Sequence, residues 1–531
     1  MKLRDQLLDS LKALPGTRHF HLNVLVSAPH KHAELFPYAS SHPRIYAQHM
    51  LILCSEQVSC PTPNEPESKD EPQRVFVTAI EAALFHIPTT NSAILYVAKV
   101  DSTGQGTRPA PTSALVRAFV VFYANPATRP PKLRGTTLWI HLFARAERQY
   151  LFPNSADHPS KKPLNDVKLC AWWKRILGRV VQEVGGGEIK MYYLLPGMNE
   201  LEAIQALGET LVKNSNSSNW IYGHPYSQTE VPLPYAPTGK AKDEFNLGQL
   251  IPSFDDDPKS RFMDEIACTT QVDGLRSPHR KRRRTSDTEA KDKDSDNSRN
   301  HKEKEKQPRI LGELGVVSAD EFWERMSFRQ ECVAGAITGF FVIVFPPGAG
   351  SKSTASTSKE GLAANPLAPQ PGEVSRHLVQ RVVHSLMTGH EFSTTERSLK
   401  ATSILEASIR SLCSGLHNVA ANVAKEEEAE KEDRSETPPP HFLVPPRTPP
   451  RRTVALNGLG LGAGDDISPN PFPEPEPSAD NYSSFIYGEI AVSNPDAPPP
   501  PAVRSEKNGV NIADGASKGE VRVLTVRKKK R

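Results

Sequence analysis

The sequence predicts a mixed α/β fold, interrupted by charged and proline-rich segments that cannot fold on their own. Three observations lead there. Short runs rich in Val, Ile, Leu and aromatics, bounded by Pro, Gly or Asn, alternate with stretches of helical period. The 531 residues suffice for a sizeable core and, by length alone, for roughly two to four domains. Apolar residues make up 37% of the chain while prolines number 48, so globular parts share it with disordered ones.

The elements follow in order. In "MKLRDQLLDSLKAL" the leucines Leu3, Leu7, Leu11 and Leu14 line one stripe of a helix. Its charges exclude a signal peptide. Strands are predicted over 21–28, 93–100, 136–144 and 190–195. Between the last two lies a helix over 165–184. Asn165 is its N-cap, Leu169, Trp172, Trp173, Ile176, Val180 and Val184 recur at three- and four-residue steps, and "GGG" at 185–187 stops it. A helix around 318–331 and an apolar run to 345 come next, then a flexible loop over 346–372 and helical stretches over 373–389 and 393–428. Residues 1–272 and 310–428 are therefore expected to form one discontinuous domain.

Two segments stand apart. The insert 273–309 is expected to be disordered, because 20 of the 34 residues in 276–309 are charged and a single alanine is apolar. From 429 to 531 the chain reads as a Pro-rich disordered tail, with 17 of the 48 prolines after Thr437. Each segment carries a basic cluster, "HRKRRR" (279–284) and "RKKKR" (527–531), of the kind that serves nuclear import or nucleic-acid contact, or merely keeps a loop solvated. The near balance of 65 basic and 61 acidic residues hides these blocks.

Several function classes are excluded. The six cysteines form no C-x-x-C pair, which argues against a zinc ribbon and for a reducing, intracellular setting. The apolar run 337–345 is too short to span a bilayer as a helix, so no membrane is expected. "VFPPGAGSKST" (344–354) lacks the Walker spacing, and "GLGLGAG" (458–464) has no strand before it. No G-x-S-x-G elbow occurs. The pairs His19/His21 and His30/His32 have no third ligand spaced to join them, so surface histidines and no metal are expected.

One motif resists a bland explanation. In "SFDDDPKSRF" (253–262) Asp257 suits an N-cap, Pro258 the first helical position, and Phe262 and Ile266 lie one turn apart. Lys259 is left over, because a cation in the first turn opposes the helix dipole.

Three stretches in this order, "FARAERQYLFPNSADHPSKKPLNDVKLCAWWKRIL" (143–177), "IPSFDDDPKSRF" (251–262) and "SADEFWERMSFRQE" (318–331), closely resemble the fungal histone acetyltransferases that modify newly made histone H3 in replication and repair. "AILYVAKVDSTG" (93–104) and "MTGHEFSTTERSLKATSILEASIRSL" (387–412) are similar to further parts of that family, so the resemblance covers roughly 1–425 without the insert. It implies a central mixed β-sheet surrounded by helices, similar to the CBP-type acetyltransferases, and acetyl-CoA as co-substrate with no covalent acyl-enzyme. The phosphate loop of the commoner N-acetyltransferases is missing: "RILGRV" (175–180) has Val180 where a small residue is required.

Carried over residue by residue, the resemblance implies catalytic roles for Asp101, Asp256 and Asp257, and a substrate channel lined by Trp173 and Tyr150. It implies coenzyme contacts from Phe143, Arg145, Tyr150, Lys161, Lys162 and Trp173, and self-acetylation of Lys259. It implies histone H3 with H4 as substrate, histone chaperones of the nucleosome-assembly-protein and anti-silencing types as partners, and the nucleus as location. Direct nucleic-acid binding stays open. The loop 124–134 is short where some relatives carry a long basic one, so chaperone docking is expected to differ. The competing expectation is a non-catalytic nuclear adaptor that binds histones or DNA, with a small-molecule acetyltransferase behind it.

Overall fold

The structure, a computed structural model, describes residues 2–40, 42–58, 73–208, 220–228, 230–235, 247–268, 311–328, 337–347, 365–415 and 472–496. Its strands are β1 (Gly16–Ser27), β2 (His30–Lys31), β3 (Tyr46–Gln57), β4 (Arg74–Ile87), β5 (Ser92–Asp101), β6 (Thr137–Ala144), β7 (Lys190–Leu194), β8 (Trp220–Tyr222), β9 (Gly339–Phe345), β10 (Glu373–Val374) and β11 (Tyr487–Asn494). They form one sheet in the order β10-β1-β3-β4-β5-β6-β9-β7-β8, with β11 on β1 and β2 on β3. The helices are α1 (Leu3–Leu11), α2 (Thr112–Ala124), α3 (Asp166–Val184), α4 (Glu200–Ala206), α5 (Leu247–Leu250), α6 (Pro258–Cys268), α7 (Ala319–Met326), α8 (Arg376–Thr388) and α9 (Thr395–Ser414). A mixed sheet flanked by helices is the architecture the sequence predicts.

Local chemistry explains the boundaries. Asn165 caps α3 by accepting the Lys168 N–H at 3.0 Å, and Gly185 ends that helix at φ +55°. Ser318 and Ser375 cap α7 and α8 in the same way. Arg129, fully buried in the short loop after α2, donates to the carbonyls of Tyr123, Ala124 and Thr136 at 2.8 Å each. It thereby satisfies the orphan acceptors at the end of α2 and fixes the turn into β6.

The sheet buries both faces. On one side α1, α2 and α3 cover Val24, Ile52, Val77, Leu95 and Ile140. On the other, Tyr226, Tyr235, Ile251, Phe254, Phe262 and Phe322 cover Phe85, Tyr96, Trp139 and Val342. A third cluster sets α8 and α9 against Leu51, Phe76, Leu151 and Phe152. Sheet strands with two buried faces read as continuous apolar runs without alternation. That is why β3 and β4 are absent from the predicted strands: "RVFVTAIEAALFHI" holds Ala, Glu and Leu as freely as β-branched residues.

Two predicted boundaries change. Glu373 and Val374 are strand, paired in parallel with Val26 and Ser27, so α8 starts only at Arg376. The tail, expected to be disordered throughout, returns to the sheet: β11 pairs antiparallel with β1 from Gly16↔Asn494 to Asn23↔Tyr487. β11 escapes notice because its burial is shallow and Val492 is its only buried residue. The insert, most of the loop 346–372 and both basic clusters lie outside the described residues.

Candidate active site

The parallel strands β5 and β6 end side by side, at Asp101 and Ala144, and a cleft of about 590 Å³ opens at these carboxyl ends. Crevices at such a place are the usual binding sites of open α/β sheets. Val97, Leu142, Trp172 and Trp173 give the cleft an apolar interior, while Arg145, Arg148, Lys162 and Arg261 bring cations. The first turn of α2, at Thr112 and Ser113, also faces it. Phe143, Arg145, Tyr150, Lys161, Lys162, Trp173, Asp101 and Asp256 all line this one space, although they come from β5, β6, α3, the β6–α3 loop and the loop before α6.

Each wall has a cause. Trp173 is buried in the α3 face, and Trp172 meets it edge to face at 4.7 Å while donating its indole N–H to Ser113 Oγ at 3.1 Å. Tyr150 donates its hydroxyl to the Arg145 carbonyl, and burial with the nearby Glu147 and Asp101 charges pushes its pKa up, so it remains a protonated phenol.

Asp101 is saturated. Its Oδ2 accepts the N–H groups of Tyr150, Leu151 and Phe152 at 2.7, 2.9 and 3.2 Å. Its Oδ1 accepts Ser102 N–H and Lys161 Nζ, both at 2.8 Å. Lys161 in turn donates to Ser155 Oγ at 2.7 Å, so its ammonium faces Asp101 rather than the opening of the cleft.

The three aspartates before α6 separate. Asp255 and Asp256 are exposed and Asp257 is buried. Asp256 pairs with Lys99 at 3.0 Å, and Lys99 also holds Glu81 at 2.8 Å. Asp257 caps α6, accepting Lys259 N–H at 2.9 Å. Its other oxygen takes the Lys259 ammonium, which lies 4.7 Å from the Phe254 ring centroid. Asp257 and Lys259 do not reach the main cleft. They line a separate void of about 20 Å³ with His141, Tyr226 and Trp323, whose Nε2, Oη and Nε1 atoms have no partner among the described residues. Burial pulls the Lys259 pKa down, although Asp257 pulls it up. Leu142 borders both spaces.

Sequence reasoning missed Lys99, Arg148, Trp172, His141, Tyr226 and Trp323. Only Lys99 carried a usable signal, since in a strand it shares a face with Asp101 two residues on. The others take their place through tertiary packing.

The model of the histone acetyltransferase KAT11-type domain matches residues 122–408, more than half of the chain. The chain belongs to this family. Two members similar to it are the histone acetyltransferases rtt109 of Aspergillus flavus (28% identical over 316 residues, 53% of this chain and 47% of that one) and Schizosaccharomyces pombe (25% over 287 residues, 51% and 58%). The chain thus spans about half the length of the curated relatives it matches. The crystal structure of Rtt109 from Aspergillus fumigatus is similar in fold, with a TM-score of 0.51 at 22% identity over 75% of this chain and 94% of that one. The KAT11-type match takes in β6, α3, α6, α7 and most of α9 and leaves Asp101 outside.

Proposed function

We propose that this protein is an acetyl-CoA-dependent lysine acetyltransferase acting on histone H3, presented with H4 by a histone chaperone in the nucleus. The observation that carries the proposal is the gathering of the implied channel, coenzyme and acidic residues around one cleft in a KAT11-type domain. The cleft fits the co-substrate: Arg145, Arg148 and Lys162 suit phosphate oxygens, and Val97, Leu142, Trp172 and Trp173 suit the thioester. Lys161, committed to Asp101, is better seen as a brace than as a phosphate ligand.

The incoming lysine amine has an unperturbed pKa of about 10.4 and must lose a proton before it attacks. Aromatic walls at Trp173 and Tyr150 favour its neutral form by removing water. Among the carboxylates, Asp101 has no free oxygen, Asp257 is buried on Lys259, and Glu147 pairs with Arg145 at 3.0 Å. Asp256 is paired as well, with Lys99 at 3.0 Å, but it lines the cleft, is half exposed and is the position to which the family resemblance assigns a catalytic role, so it is taken as the proton acceptor or relay. The amine nitrogen then bonds the thioester carbonyl carbon, the C–S bond breaks, the sulfur leaves as thiolate, and the proton released by the amine reaches that thiolate by way of Asp256 or water. Direct transfer is favoured because none of the four described cysteines lines the cleft, and burial pushes the thiol of Cys170 up to about 12.

Lys259 is the self-acetylation candidate. It is buried, its pKa is lowered, and Trp323 and Tyr226 offer unpartnered donors to an acetyl carbonyl. The test incubates purified protein with labelled acetyl-CoA, H3–H4 and a chaperone. Label on H3 that disappears in Trp173→Ala supports the enzyme. Absence of label, with histone binding that survives deletion of 143–262, supports a non-catalytic adaptor instead.

A further inference from the structure

β1 places His19 and His21 two residues apart, hence on one face of the sheet edge. From sequence they lack a third ligand. The tail supplies it, because β11 pairs with β1 in the register that sets Glu489 directly across from His21. Among the described residues this is the one group of three His, Cys, Asp or Glu side chains whose ligand atoms all lie within 4.8 Å of one another.

We propose that His19, His21 and Glu489 form a divalent-metal site, suited to Zn²⁺, that fastens the C-terminal strand β11 to the edge of the sheet. Bonds of about 2.0–2.1 Å in a tetrahedron set neighbouring ligand atoms about 3.3–3.4 Å apart. His21 Nδ1 and Glu489 Oε2 stand 3.4 Å apart. The His19 and His21 ring centroids are 4.6 Å apart, and His19 is only half buried, so it has room to close the remaining distance. Gln57 Oε1 takes the Nδ1 side of His19 at 3.0 Å, which leaves Nε2 with its lone pair for a cation. Such a hydrogen bond behind a ligating imidazole fixes both tautomer and ring orientation.

Two features oppose the metal and define what it would replace. Tyr487 Oη lies between the ligands, 2.7 Å from His21 Nδ1, and donates to Glu489 Oε2 at 2.8 Å. With metal bound it keeps its bond to Glu489 and gives up His21. Arg74 is a nearby cation, but its guanidinium is paired with Glu406 at 2.9 Å. The gain from a metal is largest for β11 itself. Val492 is its only buried residue, so the strand is held mainly by its backbone ladder, and a three-ligand cross-link would anchor it.

The experiment uses the full chain without an affinity tag, stripped by a chelator, and titrates it with ZnCl₂ in a calorimeter. Glu489→Gln and His19→Ala serve as variants, because Glu489 is exposed and His19 half buried, and fold is checked by circular dichroism. The expected result is one high-affinity equivalent in the unaltered protein that weakens at least tenfold in either variant. Amide exchange over 487–494 slows on adding Zn²⁺ in the unaltered chain alone. Equal binding by all three proteins, or exchange in β11 that Zn²⁺ leaves unchanged, overturns the proposal.

Discussion

Two buried lysine–aspartate pairs flank the cleft, and their surroundings make them opposites. Lys161 and Asp101 have side chains 5% exposed, and Lys259 and Asp257 are as deeply buried at 4% and 3%. Around the first pair every polar atom is used: three loop N–H groups, Ser102 N–H and Ser155 Oγ complete it. Around the second, aromatic rings replace donors, and three polar atoms of His141, Tyr226 and Trp323 stay without partners among the described residues. Desolvation of an ion pair is offset when its remaining hydrogen bonds are all made, and persists when they are not. The first pair is a finished brace. The second borders a void lined by polar atoms that have no partner among the described residues.

The sharpest way to test the brace is Asp101→Ala. It strands the Lys161 ammonium and the N–H groups of 150–152, a loss of about 3–5 kcal/mol of stability by the usual cost of breaking a buried pair. Denaturant unfolding measures this, and acetyl transfer is expected to fall with it because Tyr150 sits on the released loop. An unfolding midpoint within error of the unaltered protein would mean that Asp101 is not a brace, and the contrast between the pairs would collapse.

Asp256→Asn probes the carboxylate that neither pair uses. The side chain is half exposed, so stability is expected to change by less than about 0.5 kcal/mol. Transfer, measured as kcat/KM on histone, is expected to drop about 100-fold or more, the range of a lost general base. A drop smaller than tenfold at every pH tested would return the proton to water or to another group.

These distinctions were unevenly legible in the sequence. The capping of α3 and α6 was plain, because Asn165 and Asp257 act on N–H groups within three residues of themselves. The acidic run before Pro258 was visible as a run, but its division was not. Whether a carboxylate faces Lys99, solvent or Lys259 depends on residues brought in from β5 and α6. A catalytic role for Asp101 was implied by the family resemblance alone, and nothing local predicts that residues 150–152 fold back onto it. β11 was hidden for a related reason. Its partner β1 lies at the other end of the chain, and a strand with one buried residue carries almost no periodic signal.

The smallest expected effect falls on Lys259 and follows from the sign of its shift. Burial lowers the pKa in the folded chain, so the folded state favours the neutral amine more than the unfolded state does. The associated stability is present above the ordinary lysine pKa and is lost as pH falls through the lowered value; at neutral pH the charged side chain is therefore a liability. Acetylation removes the lysine charge at every pH; it takes the cation from Asp257 but leaves it an amide N–H, and it gives the unpartnered Tyr226 hydroxyl and Trp323 indole N–H an acetyl carbonyl to donate to, so the acetylated chain is expected to melt higher. Comparing melting of protein before and after incubation with acetyl-CoA, with modification at Lys259 counted by mass spectrometry, measures that shift. Lys259→Gln, which keeps an amide, is expected to retain transfer activity, and Lys259→Arg, which keeps a bulkier charge beside Phe254, to lose much of it. The same lowered pKa predicts that self-acetylation of Lys259 levels off at a lower pH than acetylation of surface lysines. If Gln and Arg variants are equally active, and acetylation leaves the melting point where it was, Lys259 and Asp257 are a second brace after all.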